Sequence, residues 1–160
     1  MHISKKSSNF APSNEIIMAE TKYESQVCSI PNSAENVYRV LSNLDNLNRV
    51  KDMIPQDKVQ ELEVHPDNIR MKVDGLGQKI TIRIEDTIEN DTIKFGTEGI
   101  PMQANFWIQL KQVTPTDTRI RLTFKADLPL MFKMMLDKKI QQGLDDAAKM
   151  LTQFPYNQWL

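Results

Sequence analysis

The chain of 160 residues fits one ordinary domain and is long enough to bury a core without disulfide or metal staples. Its 40% hydrophobic and 26% charged residues are the balance of a soluble globular protein. A formal net charge of -1 argues against nucleic acid as the main partner, because a phosphate-binding surface leaves a strong basic excess.

Met1 to Asn14 is rich in Ser, Asn and Lys and has no apolar periodicity. Residues 1–17 are therefore expected to be a disordered leader or an over-long start, with residues 18–160 forming a single domain. The stretch lacks the apolar core and cleavage site of a secretory signal. Met18 offers a second start directly before the first strand. No window approaches the roughly 20 apolar residues that a membrane span needs.

Tyr23 to Ile30 reads as a first strand, ended by Pro31. Asn32 or Ser33 then caps a helix, with Glu35 placed as in a capping box, and Val37, Val40, Leu41 and Leu44 form its buried stripe. A second short helix is predicted over Asp45 to Lys51, with Leu47 and Val50 facing inward. Strands follow over Lys58–Val64 and Asn68–Val73, joined by the turn His65-Pro66-Asp67. Gly75 and Gly77 supply the next turn.

Gln78 to Ile88 is a clear strand, with Ile80, Ile82, Ile84 and Ile88 opposing Thr81, Arg83 and Glu85. Glu89-Asn90-Asp91 turns it into Thr92–Thr97, where Ile93 and Phe95 share a face. Asn105–Val113 is the next strand, after the loop Gly99-Ile100-Pro101. In Thr118 to Leu128, Ile120, Leu122, Phe124, Ala126 and Leu128 alternate with polar residues. From Pro129 to Phe154 the period becomes helical: Phe132, Met135, Leu136, Ile140, Gly143, Leu144, Ala147, Leu151 and Phe154 share one stripe. The order implies an α+β layer arrangement with antiparallel neighbours.

This element order resembles the START-like, or SRPBCC, superfamily with its helix-grip fold, which includes the birch pollen allergen and bacterial polyketide cyclase-type proteins. The resemblance covers about Thr21 to Phe154. It is carried by Tyr23-Glu24-Ser25, by Ile30-Pro31-Asn32-Ser33-Ala34-Glu35-Asn36-Val37-Tyr38 leading into Leu41-Ser42-Asn43-Leu44, by Asn105-Phe106-Trp107-Ile108-Gln109-Leu110, and by the closing helix. It looks closest to small bacterial stand-alone members whose ligands are generally unassigned. The resemblance implies a curved antiparallel sheet of about six or seven strands wrapped around the C-terminal helix, with two short helices after the first strand. It also implies a cavity for lipids, sterols, hormones or polyketides between sheet and helix.

If the apolar strand face is the concave one, the lining comprises Ile82, Ile84, Phe95, Phe106, Ile108, Leu122 and Phe124 from the sheet. Met131, Met135, Leu136 and Leu144 add to it from the helix. Of the 9 methionines, Met131, Met134 and Met135 cluster at the start of that helix, with Met71 and Met102 on or near strands. Flexible, polarizable methionine suits a cavity that adapts to varied apolar ligands, and it also fills irregular cores. Gly143 permits close approach of the sheet, leaves room for a ligand, or is simply tolerated. Trp107 is out of phase with Phe106, Ile108 and Leu110. It belongs on the convex face, where a homodimer contact is one role, or else the pleat shifts there. Tyr156 and Trp159 cover the cavity rim or a partner, or pack on the protein's own surface.

Catalytic signals are sparse. His65, the only histidine outside the tail with His2, precedes a proline in a turn, a poor position for general acid-base work. A Cys/His metal cluster is implausible with so few ligands, and no cofactor is implied. No nucleophile elbow is present, and Gly75-Leu76-Gly77 is too short for a phosphate-cradling loop. Glu85-Asp86 are strand neighbours that point to opposite faces, and Asp145 of the Asp145-Asp146 pair can support Lys149 one helical turn on. Cys28 reads as an apolar filler, and a lone cysteine suits a reducing cytoplasm.

The leading expectation is a non-catalytic binder of a small hydrophobic or amphipathic molecule. The alternative is a polyketide cyclase- or dehydratase-like enzyme. It would need Arg83, Glu85, Gln109 or Arg121 in the cavity, although alternation assigns all four to solvent. A third class is a co-chaperone-like interaction module, which would need an exposed apolar patch around Trp107 or Trp159.

Overall fold

Short turns join six consecutive strands into an antiparallel meander, and the chain before it returns to pair with the last of them. The computed structural model describes residues 18–73, 78–100 and 102–159. In chain order these form β1 Met18–Glu24, β2 Cys28–Ile30, α1 Ala34–Leu41 and a 3-10 segment, Leu44–Met53. Then come β3 Val59–Val64, β4 Asn68–Val73, β5 Lys79–Ile88, β6 Thr92–Glu98, β7 Ala104–Thr114 and β8 Asp117–Pro129. Helix α2, Leu130–Thr152, and a 3-10 turn, Tyr156–Gln158, close the chain.

The sheet order is β1-β8-β7-β6-β5-β4-β3, with β2 also paired to β8. α2 packs against β8, β1 and β2. An eight-stranded antiparallel sheet gripping a long C-terminal helix is the α+β helix-grip architecture that the element order implied. The predicted leader, residues 1–17 with His2, lies outside the described residues, as do the turn at Gly75 and Gly77 and Pro101 of the following loop.

Local sequence explains most of the elements. Ser33 is the cap of α1, accepting the Asn36 N–H on Oγ at 3.2 Å. Asn32 is buried beside it, with its side-chain oxygen accepting the Ser33 N–H at 2.9 Å and its amide donating to Asn157 at 2.7 Å. Val37, Val40, Leu41 and Leu44 are all buried, as their spacing predicts. The second short helix is 3-10 rather than α, capped by Asn43 and interrupted at Val50 (φ -127°).

Two bulges shift what simple alternation predicts. The expected first strand is split: between the pairs Glu24–Thr123 and Cys28–Ile120 the edge advances four residues while β8 advances three. Ser25 fills the break, its N–H donating to the Leu122 carbonyl at 2.8 Å and its Oγ accepting the Leu122 N–H at 2.9 Å. From α2, Asp145 accepts the Gln26 N–H at 2.8 Å and Gln141 donates to the Glu24 carbonyl at 2.8 Å. Asp145 therefore braces the bulge instead of pairing with Lys149.

On β5, Ile84 faces Phe95 but Asp86 faces Lys94, so Glu85 is the extra residue. Ile88 consequently leaves the inward phase of Ile80, Ile82 and Ile84 and is exposed. The displaced Glu85 carboxylate lies over Gly96, where a Cβ would meet its Oε2 at 1.9 Å. A side chain at Gly96 would push that carboxylate away.

Candidate functional site

Strand register places Tyr23 of β1, Phe124 of β8, Phe106 of β7, Phe95 of β6 and Ile84 of β5 in one row across the sheet. All five belong to the inward phase, the face on which α2 lies. Tyr23 and Phe124 stack with centroids 6.4 Å apart, and Phe95 and Phe106 tilt together at 5.5 Å. The next inward row, Leu122, Ile108 and Ile93, is buried. Phe124, Phe106, Ile84, Ile82 and Ile69 are only half-buried, while Ala104, Ala126, Leu128, Met71 and Ile80 further along the same face are buried. The half-buried apolar side chains thus form a patch within an otherwise buried face.

α2 is graded in burial along its length. Leu144, Ala148 and Leu151 are buried. Leu136, Ile140 and Ala147 are half-buried. Leu130, Met131, Phe132, Met134 and Met135 are exposed.

The predicted lining residues therefore separate into three groups. Phe95, Ile108, Leu122 and Leu144 belong to the closed core. Ile82, Ile84, Phe106, Phe124 and Leu136 form the half-open wall. Met131 and Met135, at 75% and 70% exposure, do not pack between helix and sheet. Nor does Phe132 follow the predicted stripe inward. The physical reason is that α2 leaves β8 directly at Pro129, and its first turns bury no residue against a strand. Gly143 is exposed and a Cβ there would meet nothing within 4 Å, so it marks neither a close approach of the sheet nor space for a ligand.

One polar cluster meets this wall, and the periodicity did not point to it. The Tyr23 hydroxyl donates to Asp137 Oδ1 on α2, and Lys133 Nζ lies 3.1 Å from Asp137 Oδ2. Burial, and then the bond to Asp137, push the Tyr23 phenol up to about 12. The same bond, with Lys133, holds the Asp137 carboxyl below its ordinary range. The phenol stays protonated and the carboxylate stays charged across neutral pH, so the pair anchors rather than exchanges protons. The available signals were Lys133 and Asp137 at i,i+4 spacing and the inward strand phase of Tyr23.

The residues an enzyme would need lie on the outer face, as alternation assigned them. Arg83 pairs with Glu98 at 3.7 Å, and Glu85 with Lys94 at 3.8 Å. Gln109 accepts from Arg121 Nε at 3.1 Å and from Thr123 Oγ1 at 2.9 Å, and Arg121 reaches Glu24 at 3.4 Å. Trp107 is on this convex face too, flanked by Lys94 and Lys125 at 5.7 and 6.0 Å from its ring. Tyr156 is buried and Trp159 packs on Phe154 at 5.6 Å, so both tail aromatics cover the protein's own surface. His65 is exposed in its turn. Among the described residues no group of three His, Cys, Asp or Glu side chains is placed to hold a metal ion.

A concave surface of about 170 Å³ lies at the closed end, lined by Ile30, Asn32, Thr152, Phe154, Tyr156 and neighbouring residues. It is separate from the aromatic row. No α-helix among the described residues is long and apolar enough to cross a membrane.

No protein-family model and no curated protein matches the chain. Solved structures do share its fold. Norcoclaurine synthase from Thalictrum flavum, in complex with dopamine and hydroxybenzaldehyde, is 14% identical with a TM-score of 0.67, covering 93% of this chain and 95% of that one. The Zhui aromatase/cyclase from a Streptomyces species is 14% identical with a TM-score of 0.59, covering 85% and 91%. A START superfamily protein from Mycobacterium smegmatis is 12% identical with a TM-score of 0.52, covering 82% and 98%. Likeness at this identity establishes the START-like fold and leaves chemistry to the site itself.

Proposed function

We propose that this chain binds a small hydrophobic or amphipathic molecule, lipid or polyketide-like, between the sheet and α2 without transforming it. The observation that carries the reading is the half-buried apolar wall of Ile82, Ile84, Phe106, Phe124 and Leu136 beside a buried core. Apolar side chains left partly open gain about 25 cal/mol per Å² when a ligand covers them, less the cost of ordering it. Asp137, ionised beside Tyr23 and Lys133, supplies a polar end for an amphipathic ligand. The lone cysteine supports work in a reducing cytoplasm, and the net charge of -1 supports a partner other than nucleic acid.

An enzymatic reading is favoured by the names of two structural neighbours, a synthase and an aromatase/cyclase. Against it stand Arg83, Glu85, Gln109 and Arg121, all committed to partners on the outer face. Native mass spectrometry of the freshly purified chain, with extraction of any bound molecule, tests the binder. A stoichiometric apolar adduct, weakened in Phe106→Asp with its circular dichroism intact, is the expected result. A clean unliganded mass and no thermal shift against a lipid and polyketide panel would sink the proposal. Turnover of a bound ligand would move the reading to the enzyme.

A further inference from the structure

The first turns of α2 expose five large apolar side chains in six residues: Leu130, Met131, Phe132, Met134 and Met135. Surfaces this apolar mark an interaction site. At about 100° per residue, these five cover an arc of about 200° around the helix axis. The remaining side faces the protein, where Asp137 meets Tyr23 and Lys133. A helix seated in a protein groove buries a narrower stripe, of about 100°. An arc twice as wide suits a medium that wraps the helix end.

The charges point the same way. Between Pro129 and Lys139 there are three lysines, Lys133, Lys138 and Lys139, against one acid, Asp137, a local excess of +2 in a chain of net charge -1. Asp137 is engaged with Tyr23 and Lys133. Lys138 and Lys139 are exposed, with no acidic partner within 4.0 Å among the described residues. By helical phase both fall inside the exposed arc, and Lys138 lies about 6 Å along the axis from Met134. Methionine, phenylalanine and leucine at the tip with ammonium groups one turn behind match the depth order of a bilayer, acyl boundary first and phosphates next.

We propose that the start of α2 docks on an anionic lipid surface. The proposal goes beyond ligand binding and does not depend on it.

Co-sedimentation of the full chain, with no ligand added, tests the proposal using phosphatidylcholine vesicles with and without phosphatidylserine. Binding should require phosphatidylserine and fall as salt rises. Met131→Glu/Met134→Glu and Lys138→Glu/Lys139→Glu, all at exposed positions, should each weaken it by about tenfold or more with the fold intact by circular dichroism. Failure to pellet with either vesicle, or equal binding by both variants, would overturn it. So would a dimer in sedimentation equilibrium that Met131→Glu/Met134→Glu dissociates, since a second copy would then be the occupant.

Discussion

At one end of the molecule, where β2, the start of β8 and the last turns of α2 meet, Ile30, Ile120, Ala148 and Leu151 are buried. At the other end, Ile69, Ile82 and Ile84 of β4 and β5 and Leu136 of α2 are half-buried and Met131 to Met135 are largely exposed, although Met71 and Ile80 on the same strands are buried. Both ends are written with the same alternation on the strands and the same helical period on α2. What separates them is cover. The closed end is capped by α1 and by the chain beyond α2, through Phe154, Tyr156 and the Asn32–Asn157 hydrogen bond. α2 packs mainly on β1, β2 and β8 and so gives Ile69, Ile82 and Ile84 of β4 and β5 little of that cover. The amphipathic pattern therefore reports which face is apolar, while burial depends on which neighbours arrive.

The contrast is tested most strongly by paired truncations. Leu122→Ala, in the closed core at 0% exposure, should cost about 2–5 kcal/mol in urea unfolding. Ile84→Ala, in the half-open wall, should cost about 1–2 kcal/mol, because less surface is lost from contact. Equal losses at the two positions would mean that the wall is as well packed as the core.

A smaller effect concerns the tie between the two layers. The Tyr23 phenol ionises at about 12 in the fold against its ordinary 10.0, and burial raises that of Tyr156 as well. The native state holds these protons where the unfolded chain releases them. Their contribution is thus fully present below pH 10 and is lost as pH climbs from about 10 toward 12. Tyr23→Phe should remove its share of this alkaline loss and leave that of Tyr156, as measured by unfolding midpoints across that range. An unchanged slope would mean that Tyr23 does not join β1 to α2 through Asp137.

The smallest expected effect has the opposite sign. Gly143→Ala, mid-helix with open space around the new Cβ, should stabilise the chain by about 0.5–1 kcal/mol. A destabilisation in thermal unfolding would show that the sheet or a bound molecule comes closer to this turn than the structure places it.

Much of the fold was legible because its elements are long and strongly periodic. Predicted Asn68–Val73 matches β4, and Thr118–Leu128 lies within β8. The departures come from single residues that no period encodes. Ser25 bonds to both the N–H and the carbonyl of Leu122 and breaks the first strand in two. Glu85 bulges and turns Ile88 outward. The site was less legible than the fold. Alternation placed Phe106 and Phe124 on the inner face, but Tyr23 with Asp137 is a contact across 114 positions, beyond the reach of any local pattern.

By itself the sequence determined the order of elements, the apolar face of each and the capping residue Ser33 or Asn32, because these depend on neighbours within a turn or two. The tertiary structure alone decided that Ser33 is the cap, that Trp107 lies outside between two lysines, and that the methionines opening α2 are exposed. Each of those outcomes depends on the angle at which distant segments meet. A side chain is buried only where another part of the chain arrives to cover it.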